Sequence, residues 1–374
     1  MRKLKIATMV TGHFTTPPPP KIVYAPMDVA VDISEGLTRK GHQVDFFGPE
    51  GTHVNVSKVI TKGLKPLNQP EGEAITKGKD VGNAESNKLF NLWDQYLIAE
   101  MFKEAEKGKY DLLHIHPPDR ALPLALSHQN IPVFYTLHDP IYPWRAEIFS
   151  MFQSPNQYYV SISDAQRKPA PNLNYAGTAY NGIDIRNFAF SDKHDNYLLF
   201  TGRLHPEKGV AEAVQAARMA NENLIIIGPP VTGDYWDKKI APFLNDKIKY
   251  LGFVPRNQLF KYYQRAKATL VPIQWEEPFG LVMTESMACG TPIVAFNRGS
   301  VSEVVKDGKT GFVIEPFNEK EEINLKGFAE AIKKIDQIDR HECRKWVEDN
   351  FATEKMVDRY EELFYKVLAA RKKV

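Results

Sequence analysis

The chain has 374 residues, of which 43% are hydrophobic and 25% charged, and its formal net charge at pH 7 is +2. This length favours two domains over a single core, and the near-neutral charge gives no reason to expect nucleic acid as a partner. The two cysteines, Cys289 and Cys343, are far apart and show no metal-ligand spacing. We therefore expect no disulfide framework and a reducing, cytoplasmic compartment.

The beginning of the chain is typical of a strand rather than of a targeting segment. The apolar part of residues 1–12 is too short for a signal-peptide core and is soon interrupted by polar residues and prolines. No window approaches the ~20 apolar residues that are needed to cross a bilayer. We expect no transmembrane segment, while peripheral contact with a membrane is left open.

The first half of the chain alternates between strand-like and helix-like patterns. Short apolar runs predict strands at residues 3–10, 43–47, 111–116, 133–138, 158–162 and 176–180. Apolar residues at helical spacing predict helices at 27–40 and 89–107. Between residues 54 and 83 the pattern weakens, and a solvated surface excursion is favoured over a lid that grips an acceptor.

After a linker at residues 186–195 the alternation begins again. Strands are predicted at 196–202, 224–228, 248–254, 269–272, 291–296, 301–305 and 310–314. Helices are predicted to begin at Pro206, at Leu259 and at Gly280, and Gly290 supplies a left-handed stop for the last of these. The tail from 324 to 372 has a helical pattern with breaks near Gln337 and at 352–353.

Strands that alternate with helices predict parallel sheets with helices on both faces, so we expect an α/β protein. Two such domains are expected to face each other across a cleft, the first at residues 1–188 and the second at 189–352. The last helix, at 353–374, is expected to pack back on the first domain.

Two stretches of the second half favour a negatively charged nucleotide ligand. Arg203 and Lys208 flank a helix start, where both can bind phosphate oxygens. Gly280 opens another helix whose amides can face the same diphosphate, and Glu285, one turn further, can accept both hydroxyls of a ribose. Taken alone, each of these charged residues is more often an ordinary surface charge. Glu207 would then be the partner of Arg203 and Lys208.

Two strands of the first half end in histidine, His116 and His138. Such a residue is usually a loop hydrogen-bonder, but the expected cleft favours a functional role, more for His138 because Asp139-Pro140 turns the chain after it. The sequence contains no metal-ligand spacing, no Gly-x-Ser-x-Gly and no Walker loop. Metal-dependent phosphate binding and serine hydrolysis are therefore disfavoured.

Five separated segments carry a family resemblance, namely residues 181–188, 202–209, 277–285, 290–294 and 303–312. Together they resemble the retaining glycosyltransferases of family four, whose two Rossmann-like domains form the GT-B fold. The resemblance covers nearly the whole chain and is specific for sugar-nucleotide donors, but it is weak for the acceptor.

The resemblance implies a role for each matching residue. Arg203 and Lys208 would hold the donor diphosphate and stabilise the departing nucleotide in place of a metal. Glu285 would bind the ribose, and His138 would contact the transferred sugar. The remaining donor-binding set is Glu277 with the amides of Phe279, Gly280 and Leu281, together with Gly202 and Val254.

The family implies transfer with retention of anomeric configuration and no agreed protein nucleophile, so none is assigned. The expected donor is a UDP- or GDP-sugar and the acceptor is a small molecule or glycan hydroxyl, with no cofactor and no metal. Two alternatives are kept, a sugar-nucleotide hydrolase or epimerase on the same scaffold and a catalytically silent sugar-nucleotide binding protein.

One departure from the family pattern lies in the first loop. Many relatives have a Gly-Gly pair after a tyrosine, whereas here Tyr24 is followed by Ala25-Pro26. Glycines let the backbone approach a ligand closely, and proline also removes an N–H donor. We expect an altered acceptor pocket, with reduced transferase activity as the second possibility.

Overall fold

The structure is a computed structural model that describes residues 2–19, 24–67, 83–229 and 231–372. The chain forms two compact units. Unit 1 consists of Met1–Ile162, Arg167–Gly182 and Met356–Val374, and unit 2 of Ser163–Gln166 and Ile183–Lys355. Part of the excursion predicted between residues 54 and 83, from 68 to 82, lies outside the described residues.

Unit 1 contains a seven-stranded parallel sheet in the order β3-β2-β1-β4-β5-β6-β7. Its strands are β1 Lys5–Met9, β2 Gln43–Phe47, β3 Lys58–Ile60, β4 Leu112–Ile115, β5 Val133–Thr136, β6 Gln157–Ser161 and β7 Tyr175–Thr178. β4 and β5 are buried at every position, as expected for parallel strands that are covered on both faces. The strand order reverses direction between β1 and β4.

Unit 2 contains a six-stranded parallel sheet in the order β10-β9-β8-β11-β12-β13. Its strands are β8 Leu198–Thr201, β9 Leu224–Ile227, β10 Ile248–Tyr250, β11 Ala268–Val271, β12 Ile293–Phe296 and β13 Gly311–Ile314. The order reverses between β8 and β11. Both units therefore have the predicted Rossmann-like α/β architecture.

Helices connect the strands in both units. They are α1 Ala25–Arg39, α2 Asn83–Glu106, α3 Pro118–Ser127, α4 Pro143–Met151, α5 Val210–Ala220, α6 Asp234–Lys239, α7 Arg256–Arg265, α8 Leu281–Ala288, α9 Val301–Val304, α10 Leu325–Lys333, α11 Arg340–Asn350 and α12 Thr353–Arg371. Short 3-10 turns occur at Ala165–Arg167, Ile185–Asn187, Pro206–Lys208, Ala241–Phe243 and Ile335–Gln337.

The last helix, α12, packs on the sheet of unit 1, as predicted. The buried hydroxyl of Tyr360 lies 2.8 Å from Thr136 Oγ1 at the end of β5. The ring of Phe364 packs against that of Phe134 with 4.6 Å between their centroids. These contacts bury the apolar face that the periodicity of the tail predicted.

The boundary between the units lies earlier than the expected 188/189. Ile183 already belongs to unit 2, because it pairs with Ala352 and its N–H donates to Phe351 O at 2.9 Å. Phe188, in the expected linker, is 6% exposed and contributes to the core. The segment 186–195 has few apolar residues, and of these Phe188 is buried and Phe190 is half-buried.

Two elements of unit 2 differ from the prediction. Residues 301–305 are not a strand, because Val301 and Val304 are both fully buried at helical spacing and form α9. A short apolar run does not distinguish a buried strand from a buried helix. The helix predicted from Pro206 begins only at Val210, because Gly209 is left-handed at φ +73 and a Cβ there would overlap Pro272 O.

In unit 1, the pair Ala25-Pro26 is not part of the loop. Both residues form the first turn of α1, and Tyr24 is its N-cap residue. Proline suits this position because its missing N–H would have no partner in the helix. β3, α3 and α4 were not predicted, since their apolar patterns are short.

Candidate functional site

The candidate donor site lies at the point in unit 2 where the strand order reverses. In a doubly wound sheet, ligands bind at the carboxyl ends of the strands beside this point. The stretch with Arg203 and Lys208 follows β8, and the stretch with Glu277 follows the neighbouring strand β11. Gln274 N donates to Glu207 O at 2.8 Å and holds the two stretches together.

Lys208 and Glu277 are in direct contact. The ammonium of Lys208 donates to Glu277 Oε2 at 2.7 Å, and the indole N–H of Trp275 donates to the same oxygen at 3.0 Å. Lys208 Nζ also lies 4.5 Å from the centroid of the Trp275 ring. A cation, a carboxylate and an aromatic face thus meet at the switch point.

The loop before α9 fixes the backbone of Glu277. Ser300 N donates to Glu277 O at 2.9 Å, and Ser300 Oγ donates to Phe279 O at 2.9 Å. Gly299 is left-handed at φ +59, and a Cβ there would overlap Glu277 O. The side chain of Phe279 is buried against Phe351, so only its backbone can face a ligand.

Gly280 marks the start of α8, as predicted. Its φ of +82 lies in the left-handed region, where glycine is favoured. The helix begins at Leu281 without a side-chain cap. Its first N–H groups and the positive end of its dipole therefore form a favourable place for an anion.

Glu285, inside α8, is 6% exposed. Its Oε1 accepts from Arg256 Nη2 at 3.2 Å, and its Oε2 accepts from the hydroxyl of Tyr263 at 3.1 Å. Burial, followed by the charge of Glu285, raises the pKa of Tyr263 well above its usual value, so the hydroxyl stays protonated and donates. Glu285 is therefore an oriented carboxylate rather than an exposed helix charge.

The other predicted donor residues lie nearby in the chain but do not join the Lys208–Glu277 contact. Arg203 is exposed, and none of the hydrogen bonds or ion pairs of the described residues joins it to Lys208 or Glu277. Gly202 follows β8, and a Cβ at Gly228 would overlap Gly202 O. Val254 lies in the loop after β10, two residues before Arg256, the partner of Glu285.

In unit 1, His116 and His138 are hydrogen-bonded to each other. His116 Nδ1 lies 2.8 Å from His138 Nε2, and the rings stack with 5.1 Å between their centroids. Burial, followed by the charge of Arg145, lowers the pKa of His138 to about 3. Burial also lowers the pKa of His116 well below its usual value. Both imidazoles are therefore neutral at pH 7.

The switch point of unit 1 contains a buried acid that sequence reasoning missed. Asp94 of α2 is completely buried; its Oδ1 accepts from Gly12 N at 2.6 Å and its Oδ2 is paired with the guanidinium of Arg120. His13 Nε2 lies 3.2 Å from the same carboxylate, and burial, followed by the charge of Arg120, lowers the His13 pKa to about 4. The sequence did contain a sign of this burial, because Asp94 precedes Leu97 on the apolar face of α2.

Trp275 is a second site residue without a predicted role, although it opens the stretch that contains Glu277. A tryptophan before a turn is usually read as core, and only the structure shows its N–H on a carboxylate. Within the described ranges, no group of three or more His, Cys, Asp or Glu side chains could hold a metal ion. None of the helices in those ranges is long and apolar enough to cross a membrane.

Comparisons with known proteins identify the family of this chain. The family model for glycosyl transferases group 1 matches residues 183–348, and that for glycosyltransferase family 4 matches residues 28–176. Over 319 residues the chain is 30% identical to lipopolysaccharide 1,2-N-acetylglucosaminetransferase of Salmonella typhimurium, covering 80% of this chain and 77% of that protein.

Two solved structures have a similar fold. Sucrose-phosphate synthase from Thermosynechococcus elongatus gives a TM-score of 0.72 at 17% identity, covering 98% of this chain and 100% of that one. Anabaena HepE in complex with UDP-glucose gives 0.67 at 18% identity, covering 97% and 100%. The resemblance inferred from the sequence is confirmed: the chain belongs to the glycosyltransferases of group 1 and family 4, with the GT-B fold.

Proposed function

We propose that the protein is a retaining glycosyltransferase that moves a sugar from a UDP- or GDP-sugar to an acceptor hydroxyl without a metal ion. The observation that carries this proposal is the contact between Lys208 Nζ and Glu277 Oε2 at the switch point of unit 2. A cation that suits a diphosphate there lies beside a carboxylate that suits sugar hydroxyls. The complex of Anabaena HepE with UDP-glucose supports this class of donor.

The diphosphate is bound by positive charge from two side chains and from the start of a helix. Lys208 keeps two N–H donors after its bond to Glu277, and Arg203 is exposed on the same turn. The uncapped start of α8 adds the partial positive charge of the helix dipole. As the bond between sugar and diphosphate breaks, these groups stabilise the negative charge that develops on the departing nucleotide.

The two carboxylates of the α8 region recognise different parts of the donor. Glu285, oriented by Tyr263 and Arg256, accepts the ribose hydroxyls. Glu277 accepts hydroxyls of the transferred sugar, and the amides of Phe279, Gly280 and Leu281 contribute donors beside it. Gly202 and Val254 line the nucleotide end.

His138 contacts the transferred sugar as a neutral imidazole, because burial and Arg145 depress its pKa. The acceptor oxygen forms a bond to the anomeric carbon on the face from which the diphosphate leaves. The hydroxyl proton passes to an oxygen of the departing diphosphate. No protein nucleophile is required, and the configuration is retained.

The test measures release of nucleoside diphosphate from a panel of UDP- and GDP-sugars, with and without small-molecule and glycan acceptors. We expect release only when an acceptor is present. Release without an acceptor would favour the hydrolase, and donor binding without release under any condition would favour a silent binding protein.

The variant Lys208→Ala tests the phosphate contact. Loss of one charge-assisted hydrogen bond is expected to weaken donor binding by ~1.5–3 kcal/mol, or about 10- to 150-fold. Lys238→Ala, which removes an exposed lysine of the same unit, is the matched control and should bind normally. Unchanged donor affinity in Lys208→Ala would rule out the assignment.

A further inference from the structure

We propose that Trp275 is a positioning residue of the donor site, which holds Glu277 and Lys208 so that Glu277 Oε1 remains available to a hydroxyl of the donor sugar. The inference rests on the proposed function and assigns Trp275 a part in recognising the sugar rather than the nucleotide. Trp275 itself is not expected to touch the reacting atoms.

Two donors converge on one oxygen of Glu277. The indole N–H of Trp275 and the ammonium of Lys208 both bind Oε2, at 3.0 Å and 2.7 Å. Across the described residues, no hydrogen bond reaches Glu277 Oε1. This oxygen is also absent from the fully buried side-chain atoms that lack a partner, so it is not fully buried. An ionised carboxylate accepts through both oxygens, so the site presents Oε1 as its open acceptor.

The indole ring acts on Lys208 in a second way. The ammonium lies 4.5 Å from the ring centroid, within the range of a cation–π interaction. An aromatic face attracts the cation without donating or accepting a proton, so it occupies none of the lysine N–H donors. Lys208 is thereby held at the switch point with donors left for phosphate oxygens.

The backbone places Trp275 between the two stretches. Gln274 N donates to Glu207 O at 2.8 Å, which ties the residue before Trp275 to the turn that carries Lys208. Trp275 is also two residues before Glu277, so its side chain reaches the carboxylate across a short turn. One side chain therefore contacts the groups assigned to the diphosphate and to the sugar.

This arrangement predicts that the two parts of donor affinity can be separated. Removing the indole N–H while keeping an aromatic ring removes one of the two hydrogen bonds to Glu277 Oε2 and leaves the cation–π contact with Lys208. Binding of a nucleotide sugar should then weaken, whereas binding of the nucleoside diphosphate alone should not. Removing the ring as well should weaken both ligands.

The experiment compares Trp275→Phe and Trp275→Leu with the unmodified protein by isothermal titration with UDP, GDP and their glucose or mannose derivatives. For Trp275→Phe we expect nucleotide-sugar affinity to fall about 5- to 10-fold, which is less than the full worth of a hydrogen bond to a charged group because Lys208 still anchors Glu277. Nucleoside-diphosphate affinity should stay within about 2-fold. Trp275→His, which keeps a ring and an N–H donor, should recover part of the loss.

Trp346→Phe is the matched control, since it removes an indole N–H from the same unit that is bonded to Val304 O at 2.9 Å and not to Glu277. It should change neither affinity. Donor binding should also alter the tryptophan fluorescence of the unmodified protein, and this change should disappear in Trp275→Phe although the nucleoside diphosphate still binds.

Two failures are distinguishable in this design. If the unmodified protein binds no nucleotide sugar, the proposed function itself fails. If it binds normally but Trp275→Phe weakens both ligands equally, or neither, the positioning role is overturned while the proposed function stands.

Discussion

His116 Nδ1 lies 2.8 Å from His138 Nε2, and the ring of His114 is 4.4 Å from that of His116, centroid to centroid. His114 is 1% exposed, and its Nε2 lies 2.8 Å from Thr136 Oγ1. Unit 1 therefore contains a row of three imidazoles at the ends of β4 and β5, in which His114 and His116 are buried and His138 is half-buried. Because burial lowers the pKa of each, the row is neutral in the folded protein at pH 7.

This row predicts that acid destabilises the protein. The pKa of His114 is about 3 in the folded state against the ordinary 6.5, so below pH 6.5 the unfolded chain binds a proton that the folded chain does not. The contribution of neutral His114 to the free energy of unfolding is complete above pH 6.5. It is lost as the pH falls towards 3, by up to ~1.4 kcal/mol per pH unit.

The variant His114→Gln should flatten this dependence. We expect its melting temperature to fall less between pH 7 and pH 4.5 than that of the unmodified protein, whatever its value at pH 7. His205→Gln is the control, because that side chain is 57% exposed. Parallel curves for all three proteins would contradict the prediction.

Gly299 is predicted to be required for the geometry of Glu277. An alanine Cβ would overlap Glu277 O in a left-handed backbone at φ +59, so the Glu277 segment must shift. We expect Gly299→Ala to lower nucleotide-sugar affinity more than 10-fold, on the order of 1.4 kcal/mol or more.

Gly308→Ala is the matched control for backbone strain. Gly308 is left-handed at φ +70, but a Cβ there meets nothing within 4 Å. It should cost ~1–2 kcal/mol of stability and leave ligand affinity unchanged. Equal ligand affinities in the two variants, measured by calorimetry, would show that Gly299 does not control Glu277.

The contact between Gly36 of α1 and Val357 of α12 predicts a coupled pair. A Cβ on Gly36 would overlap Val357 Cγ2, and a β-branched side chain has little freedom to move away. Gly36→Ala should therefore destabilise by ~1–3 kcal/mol despite its better helix propensity.

The double variant Gly36→Ala/Val357→Ala removes both the overlap and the methyl groups. We expect it to be more stable than the sum of the single variants predicts, with a coupling of at least ~1 kcal/mol in denaturant titrations. Additive effects would mean that α12 does not pack tightly on α1.

Replacing Ala25-Pro26 by Gly-Gly is predicted to change acceptor kinetics. The two residues form the first turn of α1, and Tyr24 before them packs edge-to-face on Phe14 at 5.7 Å between centroids. Two glycines should loosen this turn by ~1–2 kcal/mol and displace Tyr24. The acceptor KM should change several-fold while donor affinity stays constant. The single variant Ala25→Gly, which keeps Pro26, is the control. An unchanged acceptor KM in the double variant would remove the first turn of α1 from the acceptor site.

The local pattern of the sequence predicted most of the fold. Short apolar runs that alternate with segments of helical periodicity predicted both parallel sheets. These patterns can be predicted because they depend only on residues that are close in sequence. The stop at Gly290, with φ +87, and the apolar face of α12 were predicted for the same reason. Where the apolar run was too short to show a period, as at Val301–Val304, the prediction was wrong.

Tertiary structure alone decided which charged groups meet. Lys208 and Glu277 are 69 residues apart and touch only because β8 and β11 are neighbours in the sheet. The same holds for Asp94, whose charge is buried and compensated by Arg120 from another helix. The sequence by itself determined the family, most of the elements and the chemistry available at each turn. Strand order then determined that Lys208 meets Trp275 and Glu277, because contacts between distant residues depend on packing and not on local pattern.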